Sequence, residues 1–302
     1  MDFIIPNRRL RISENVRQFL SSNRSREGWW WIDQVSIDQE NTGERNEQVK
    51  IMQDIYAGAQ KVVIWLTGLS ASTELVLNLR LDQAVLTAEA TLVEHLLAAQ
   101  DLLTHPYWSR IWTIQEVAYA RKVDLAYGSG KIRFQRLQEV VAKTDRSSIR
   151  LPLQFMWFMQ HATTLSSHSS QDLHRMDEIV RTFSDSGCKD PRDKVFGTQG
   201  LLKREQRIPV DYTRSTQAVY FDAIQMMANQ WPPDQPMRDL VSVCLQLGVQ
   251  MLPDVFVLHL MFDQFDEINS IMRAEGDQEE KKARIVEALH RLIPTLKPTS
   301  TS

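Results

Sequence analysis

The sequence has few cysteines and no long apolar run. Its two cysteines, Cys188 and Cys244, form no C-x-x-C pair and cannot build a disulfide framework. This usage favours a reducing compartment, and we expect a cytoplasmic protein. No stretch approaches the roughly 18 apolar residues that a membrane helix needs, and the N-terminus lacks the pattern of a signal peptide. We therefore expect neither a membrane span nor secretion.

The sequence also has no large excess of basic or acidic residues. The 302 residues include 35 lysines and arginines against 38 aspartates and glutamates, which gives a net charge of −3. This balance gives no electrostatic reason to expect nucleic acid as a partner, and we interpret the six arginines among the first thirty residues as a solvated face. With 43% hydrophobic residues, a chain of this length can bury a sizeable core without disulfides.

The common signatures of catalysis and cofactor binding are also absent. The sequence contains no G-x-G-x-x-G, Walker loop, H-E-x-x-H or G-x-S-x-G motif. The seven histidines are dispersed, and those at 161, 168 and 174 have no carboxylate at ligand spacing, so we predict no metal site. Spacing rules alone therefore do not identify a function.

The first part of the chain alternates between strand and helix patterns. Residues 3–12 indicate two extended pieces around a turn, and Ser13 is a good N-cap for a following helix. The short, aromatic run 29–37 predicts a buried strand. Asn41 opens another helix, and residues 61–67 have the apolar core of a central strand. Strand, helix and strand at this spacing predict a βαβ unit in a parallel sheet.

The rest of the chain is predicted to be mostly helical, apart from one hairpin. The predicted elements are one or two helices within 71–104, a helix over 107–120, a hairpin of 123–127 with 131–134, a helix start at Asp190, a helix over 215–230 and a last helix over 278–293. The pattern breaks at 231–236, which indicates a soft boundary.

Two carboxylates lie in otherwise apolar segments. Gln115 and Glu116 belong to a predicted helix whose apolar residues cover most of its circumference, so both should be partly buried. Burial would raise the pKa of Glu116 and make it a candidate acid, base or hydrogen-bond anchor; alternatively, an arginine neutralises it and pins the helix to the sheet. Asp33 lies in the aromatic strand and either contacts a ligand or accepts backbone amides as a cap.

Other polar residues are predicted around these two carboxylates, because ligands collect at the carboxyl ends of parallel strands. The candidate supporting residues are Asp38, Gln39, Glu44, Arg45, Gln48, Arg110 and Trp112. Among them, Arg45 could reach any of the neighbouring carboxylates. A separate group, Asp190, Arg192 and Asp193, is most simply an ion-paired, capped helix start.

Three ordered blocks of the sequence resemble the fungal heterokaryon-incompatibility (HET) domain. The blocks are Trp31-Ile32-Asp33, Ile37-Asp38-Gln39, Glu44-Arg45 and Val63-Ile64-Trp65-Leu66; then Arg110, Trp112, Gln115-Glu116, Ala120 and Gly128; then Asp190-Pro191-Arg192-Asp193-Lys194-Val195-Phe196 with Asp211-Tyr212. The chain departs from the family at Ser36, where a cysteine is usual, and nothing corresponds to the family's first strand. We therefore expect a form that starts after that strand.

The resemblance implies a role in fungal non-self recognition and programmed cell death, exerted mainly through contacts with other incompatibility or signalling proteins, with self-association as a further option. HET domains are similar to Toll/interleukin-receptor (TIR) domains, some of which cleave NAD with a helix glutamate. This similarity implies an α/β fold with a TIR-like, flavodoxin-like, mostly parallel sheet flanked by helices. It places Glu116 at the catalytic position with NAD as substrate, and it implies no other cofactor. Because the first strand is missing, loss of this activity is the favoured expectation.

The resemblance also gives a domain prediction. The HET domain is expected at residues 1–147, a helical extension with the Asp190-Pro191-Arg192-Asp193 motif at 148–230, and a mainly helical C-terminal region at 231–302.

Overall fold

The computed structural model divides the chain into two compact units. The first comprises Met1–Ser109 with Thr113–Ser169, and the second comprises Arg110–Trp112 with Ser170–Ser302. The residues that the structure describes are 2–5, 8–24, 28–74, 97–98, 100–128, 130–135, 137–138, 154, 157–158, 175–252 and 265–291.

The first unit contains two separate sheets. Its elements are β1 (Asp2–Ile5), β2 (Arg8–Arg11), α1 (Glu14–Ser22), α2 (Asp33–Ser36), α3 (Thr42–Gly58), β3 (Val62–Leu66), a 3₁₀ helix (Pro106–Ser109), α4 (Thr113–Ala118), β4 (Val123–Tyr127) and β5 (Gly130–Arg133). Strands β1 and β2 form an antiparallel pair. The second sheet has the order β3-β4-β5, with β3 parallel to β4 and β4 antiparallel to β5.

Local signals account for several of these elements. Ser13 caps α1, since its Oγ accepts the Val16 N–H at 3.3 Å. Asn41 caps α3, since its Oδ1 accepts the Glu44 N–H at 3.1 Å. All five residues of β4 are buried, as expected for the middle strand of a sheet that is covered on both faces. The two extended pieces predicted in residues 3–12, the β4–β5 hairpin and the strand β3 are confirmed.

The predicted strand over residues 29–37 is wrong, because the described chain forms the short helix α2 there. Asp33 Oδ1 accepts the Gln34 N–H at 2.8 Å, and Ser36 Oγ accepts the Ile32 N–H at 3.3 Å. These local side-chain bonds offer the backbone an alternative to a sheet ladder. Trp29 is fully exposed instead of buried. Consequently α3 follows a helix and not a strand, and the parallel pair is β3 with β4.

Two further predictions need correction. The helix expected over 107–120 is split into the 3₁₀ helix and α4, because the intervening Arg110–Trp112 belongs to the second unit, where the Ile111 N–H bonds to Gly187 O at 3.0 Å. The sheet expected to be mostly parallel has, in the described chain, one parallel and one antiparallel pairing. Most of the helical region expected at 71–104, namely 75–96 and 99, lies outside the described residues.

The second unit is mainly helical, as predicted for the C-terminal region. Its elements are α5 (Met176–Phe183), α6 (Asp193–Phe196), two 3₁₀ helices (Gln199–Leu201 and Arg204–Gln206), α7 (Thr216–Asn229), α8 (Met237–Met251), α9 (Phe265–Arg273) and α10 (Gln278–Arg291). The predicted helix start at Asp190 is displaced, because Asp190 Oδ1 accepts the Arg192 N–H and caps a turn that precedes α6. Among the described helices, none combines the length and apolarity that crossing a bilayer requires.

Candidate functional site

The parallel strands β3 and β4 end at the same edge of the sheet, where Leu66 is in register with Tyr127. The segment that follows each strand then turns at a glycine with positive φ, at Gly68 (+80°) after β3 and at Gly128 (+45°) after β4. Glycine adopts this left-handed backbone without steric cost, so these two positions favour sharp exits from the strands. Because the carboxyl ends of strands are where open α/β sheets bind ligands, this edge is the candidate site.

Glu116 on α4 is linked to this edge through Tyr107. Its side chain is half-buried, and its Oε2 accepts a hydrogen bond from the Tyr107 hydroxyl at 2.7 Å. Tyr107 lies in the 3₁₀ helix and is itself buried. A hydroxyl that donates to a carboxylate makes a charge-assisted bond, which is stronger than a bond between neutral groups. The structure thus provides a specific partner for the carboxylate that the sequence singled out.

His105 connects Tyr107 to the end of β3. Its Nε2 lies 2.9 Å from the carbonyl oxygen of Thr67, the residue directly after the strand. Its Nδ1 accepts the backbone N–H of Tyr107 at 3.1 Å. Because Nδ1 accepts, Nε2 carries the ring hydrogen and donates it to Thr67. Thr67, His105, Tyr107 and Glu116 therefore form one connected chain of contacts at the sheet edge.

A second polar group follows β3 at this edge. Asp101 Oδ2 accepts the Ser70 N–H at 3.0 Å and the Thr73 hydroxyl at 2.8 Å. Burial acts to raise the pKa of Asp101, but the hydrogen bonds from Ser70 and Thr73 outweigh it, so that the pKa lies below its usual value. This carboxylate is satisfied by the loop that it organises, and we assign it a structural role.

Glu74 completes the edge on the side of β4. Its carboxylate fills the space above Gly128, where a Cβ would come within 2.5 Å of Oε2. Desolvation, with the Glu74 charge as a second cause, raises the pKa of Tyr127 to about 12. The sequence analysis missed Tyr107, His105 and Glu74. A glycine within two residues of the end of each strand was the available signal for this edge.

The supporting residues on α2 and α3 form a local turn network. The Glu44 carboxylate accepts the Asp38 N–H at 2.9 Å, and the Gln39 side chain donates to Asp33 O at 3.4 Å. For Asp33, the structure shows the cap alternative, since its carboxylate accepts a backbone amide. Three others are placed by burial alone: Arg45 and Gln48 are half-buried on α3, and Gln115 is buried on α4. A common hollow for Asp33 and Glu116 stays a prediction.

The remaining predicted residues lie in the second unit. Asp193 is buried there, and it accepts the Tyr212 hydroxyl at 2.6 Å and the Trp112 indole N–H at 3.1 Å. Arg110 is exposed and belongs to the same unit. The grouping of Arg110 and Trp112 with Glu116 in one site is therefore not seen within either unit.

Arg192 holds the start of α6 together. Its guanidinium makes a bidentate pair with the Asp190 carboxylate at 2.9 and 2.8 Å. It also donates to the carbonyl oxygens of Tyr212 and Arg214 at 2.6 and 2.7 Å, and it stacks over the Tyr212 ring. Its pKa is raised chiefly by the hydrogen bonds to Asp190. This geometry agrees with the structural interpretation of the motif.

Among the described residues, no group of three or more His, Cys, Asp or Glu side chains could hold a metal ion. The chemistry that the edge offers is that of a half-buried carboxylate held by a phenol donor. Such a group can accept hydrogen bonds from a ligand or stabilise positive charge next to it.

Comparisons with known proteins agree with the motif resemblance. The family described as heterokaryon incompatibility protein (HET) matches residues 2–116. Over 36 residues, the chain is 50% identical to heterokaryon incompatibility protein 6, OR allele, of Neurospora crassa, and this segment covers 12% of the chain and 5% of that relative. No solved structure shows a significant match. The family match includes Glu116 but not the block at 190–196. The comparisons therefore show a segment similar to the HET domain at residues 2–116 of this chain.

Proposed function

We propose that this chain acts in heterokaryon incompatibility, the non-self recognition of fungi, and that it promotes cell death mainly through contacts with other proteins of that system. The family match over residues 2–116 and the likeness to a Neurospora crassa incompatibility protein support the general role. In this proposal the protein is cytoplasmic, which its two free cysteines favour.

The observation that carries the contact role is the exposure of Trp29. Its side chain is fully accessible, and that of Trp30 is 38% accessible. Trp30 packs edge-on against Phe19 at 5.0 Å between ring centroids, and Phe19 packs against Trp65 at 5.8 Å. Trp29 therefore directly precedes, in the sequence, a residue of an anchored aromatic cluster. Tryptophan dominates the energetics of protein interfaces, and truncation of such an anchor costs about 2 kcal/mol or more of binding energy.

The test of this role is induced expression of the full chain in a filamentous ascomycete. We expect wild-type protein to reduce colony viability and Trp29→Ala to restore it, because a loss of about 2 kcal/mol weakens a complex roughly thirty-fold. Ile51→Ala is the matched control, since Ile51 is an exposed apolar residue of the same unit. The contact role is refuted when Trp29→Ala reduces viability as strongly as wild-type protein at equal protein level.

The second candidate function is cleavage of NAD by a TIR-like arrangement in the first unit. The half-buried Glu116 favours it, because Tyr107 holds this carboxylate and is tied through His105 to the residue that follows β3. In this function the Glu116 carboxylate would hold the ribose hydroxyls and stabilise the cation-like transition state as nicotinamide leaves.

A further inference from the structure

We infer that Tyr107 is a positioning residue for Glu116, and that the Tyr107 hydroxyl fixes the orientation of this carboxylate and favours its ionised form. The inference rests on the second candidate function in one respect, because it assumes that Glu116 is the group that meets the ligand. It adds a residue that neither the motif resemblance nor the sequence analysis assigned.

The first step is the chemistry of the bond between the two side chains. A phenol O–H that donates to Glu116 Oε2 at 2.7 Å finds a full negative charge only when the carboxyl is ionised. A hydrogen bond to the charged form stabilises that form relative to the protonated one. The bond also removes rotational freedom about the terminal torsion of Glu116, which otherwise has broad, roughly two-fold preferences. This one hydrogen bond thus favours the ionised form of Glu116 and also fixes the orientation of its carboxylate.

The second step is the rigidity of the donor. Tyr107 is buried and packs edge-on against Trp108 at 5.0 Å between centroids. Trp108 is almost completely buried, and its indole N–H donates to Leu102 O at 2.7 Å. The Tyr107 ring therefore rests on a neighbour that is itself held by packing and by a hydrogen bond. Side chains supported in this way keep the geometry that a binding or catalytic group needs.

The third step is the tether to the sheet. His105 accepts the Tyr107 N–H and donates to Thr67 O, so the backbone at Tyr107 is tied to the residue that follows β3. The segment that carries the phenol is thereby tied to the carboxyl end of β3.

The test is a ¹³C NMR titration of the Glu116 carboxyl carbon in the full chain. We expect Tyr107→Phe to raise its titration midpoint by roughly one pH unit, because a hydrogen bond to the charged form is lost. His105→Ala should raise it by a smaller amount, and this variant serves should Tyr107→Phe fold poorly. Tyr220→Phe is the matched control, because the buried Tyr220 hydroxyl donates to a backbone carbonyl, Cys244 O, at 2.9 Å. The control should leave the midpoint unchanged.

Nicotinamide release from NAD, measured with the same proteins, tests the positioning role of Tyr107 separately from the NAD-cleaving function of Glu116. An unchanged midpoint in both Tyr107→Phe and His105→Ala overturns the positioning role, even where NAD is cleaved. A raised midpoint without any NAD cleavage by wild-type protein supports the positioning role and refutes the enzymatic candidate. Where NAD is cleaved, Tyr107→Phe should lower kcat about tenfold with little change in KM, as expected for an interaction that acts in the transition state.

Discussion

Replacement of Asp193 by alanine is expected to lower the free energy of unfolding by about 3 kcal/mol. Asp193 is buried and accepts hydrogen bonds from the Tyr212 hydroxyl and the Trp112 indole N–H. Without the carboxylate, the buried Tyr212 hydroxyl and the half-buried Trp112 indole N–H lose their acceptor at this position, and each such loss costs roughly 1–3 kcal/mol where the donor is buried. The effect is large because one side chain joins the start of α6 to two segments that are distant in sequence.

The measurement is urea denaturation of the full chain, followed by the loss of its helical circular dichroism, since the second unit is mainly helical. Asp234→Ala is the control, since Asp234 is an exposed carboxylate of the same unit and its removal should change stability by less than about 0.5 kcal/mol. Asp193→Asn should lie between the two, because an amide oxygen can still accept one of the bonds. Equal stability of Asp193→Ala and Asp234→Ala would show that the buried carboxylate is not needed.

For the second candidate function, Glu116→Gln is expected to lower the rate of nicotinamide release by at least about 100-fold. The substitution keeps the shape of the side chain but removes the charge that would stabilise a cation-like transition state, and loss of one preorganised electrostatic group typically costs about that factor. The assay incubates purified full-length protein with NAD and quantifies nicotinamide by chromatography.

Glu47→Gln is the matched control for this assay. Glu47 is an exposed glutamate of α3 that pairs with Lys50, and its replacement should leave the rate unchanged. No release from concentrated wild-type protein retires the enzymatic candidate and leaves the contact role standing. Equal rates for wild type and Glu116→Gln would place any cleavage at another residue.

The parts of the fold that were predicted from the sequence are those set by neighbouring residues. Ser13 and Asn41 cap their helices through atoms three residues away, and the β4–β5 hairpin turns at Gly128. The predicted burial of Gln115 and Glu116 on an apolar helix is also confirmed, because helical periodicity is local.

The site itself was predicted only in part, because its key contact depends on a helix break. In a continuous helix over 107–120, residues 107 and 116 would lie on opposite faces and about 13 Å apart along the axis. The Tyr107–Glu116 bond forms because Arg110–Trp112 leaves the helical path, and the Ile111 bond to Gly187 that accompanies this departure spans 76 positions (187 − 111). No local pattern contains that information.

The strand prediction for the aromatic run 29–37 was wrong for a related reason. Strand propensity describes how well side chains fit a half-buried pleated surface, and that surface must be supplied by the rest of the fold. Here Asp33 and Ser36 satisfy nearby backbone amides, and Trp29 is left in solvent. The wrong strand assignment also removed the parallel-strand argument for Asp33, whereas Glu116 is linked to the end of the observed strand β3 through Tyr107 and His105.

Colony viability of an ascomycete that expresses wild-type protein, Trp29→Ala or Glu116→Gln at matched levels distinguishes a contact role from catalysis in one experiment. We expect Trp29→Ala to restore growth and Glu116→Gln still to arrest it. Arrest by Trp29→Ala together with recovery by Glu116→Gln would refute the contact role.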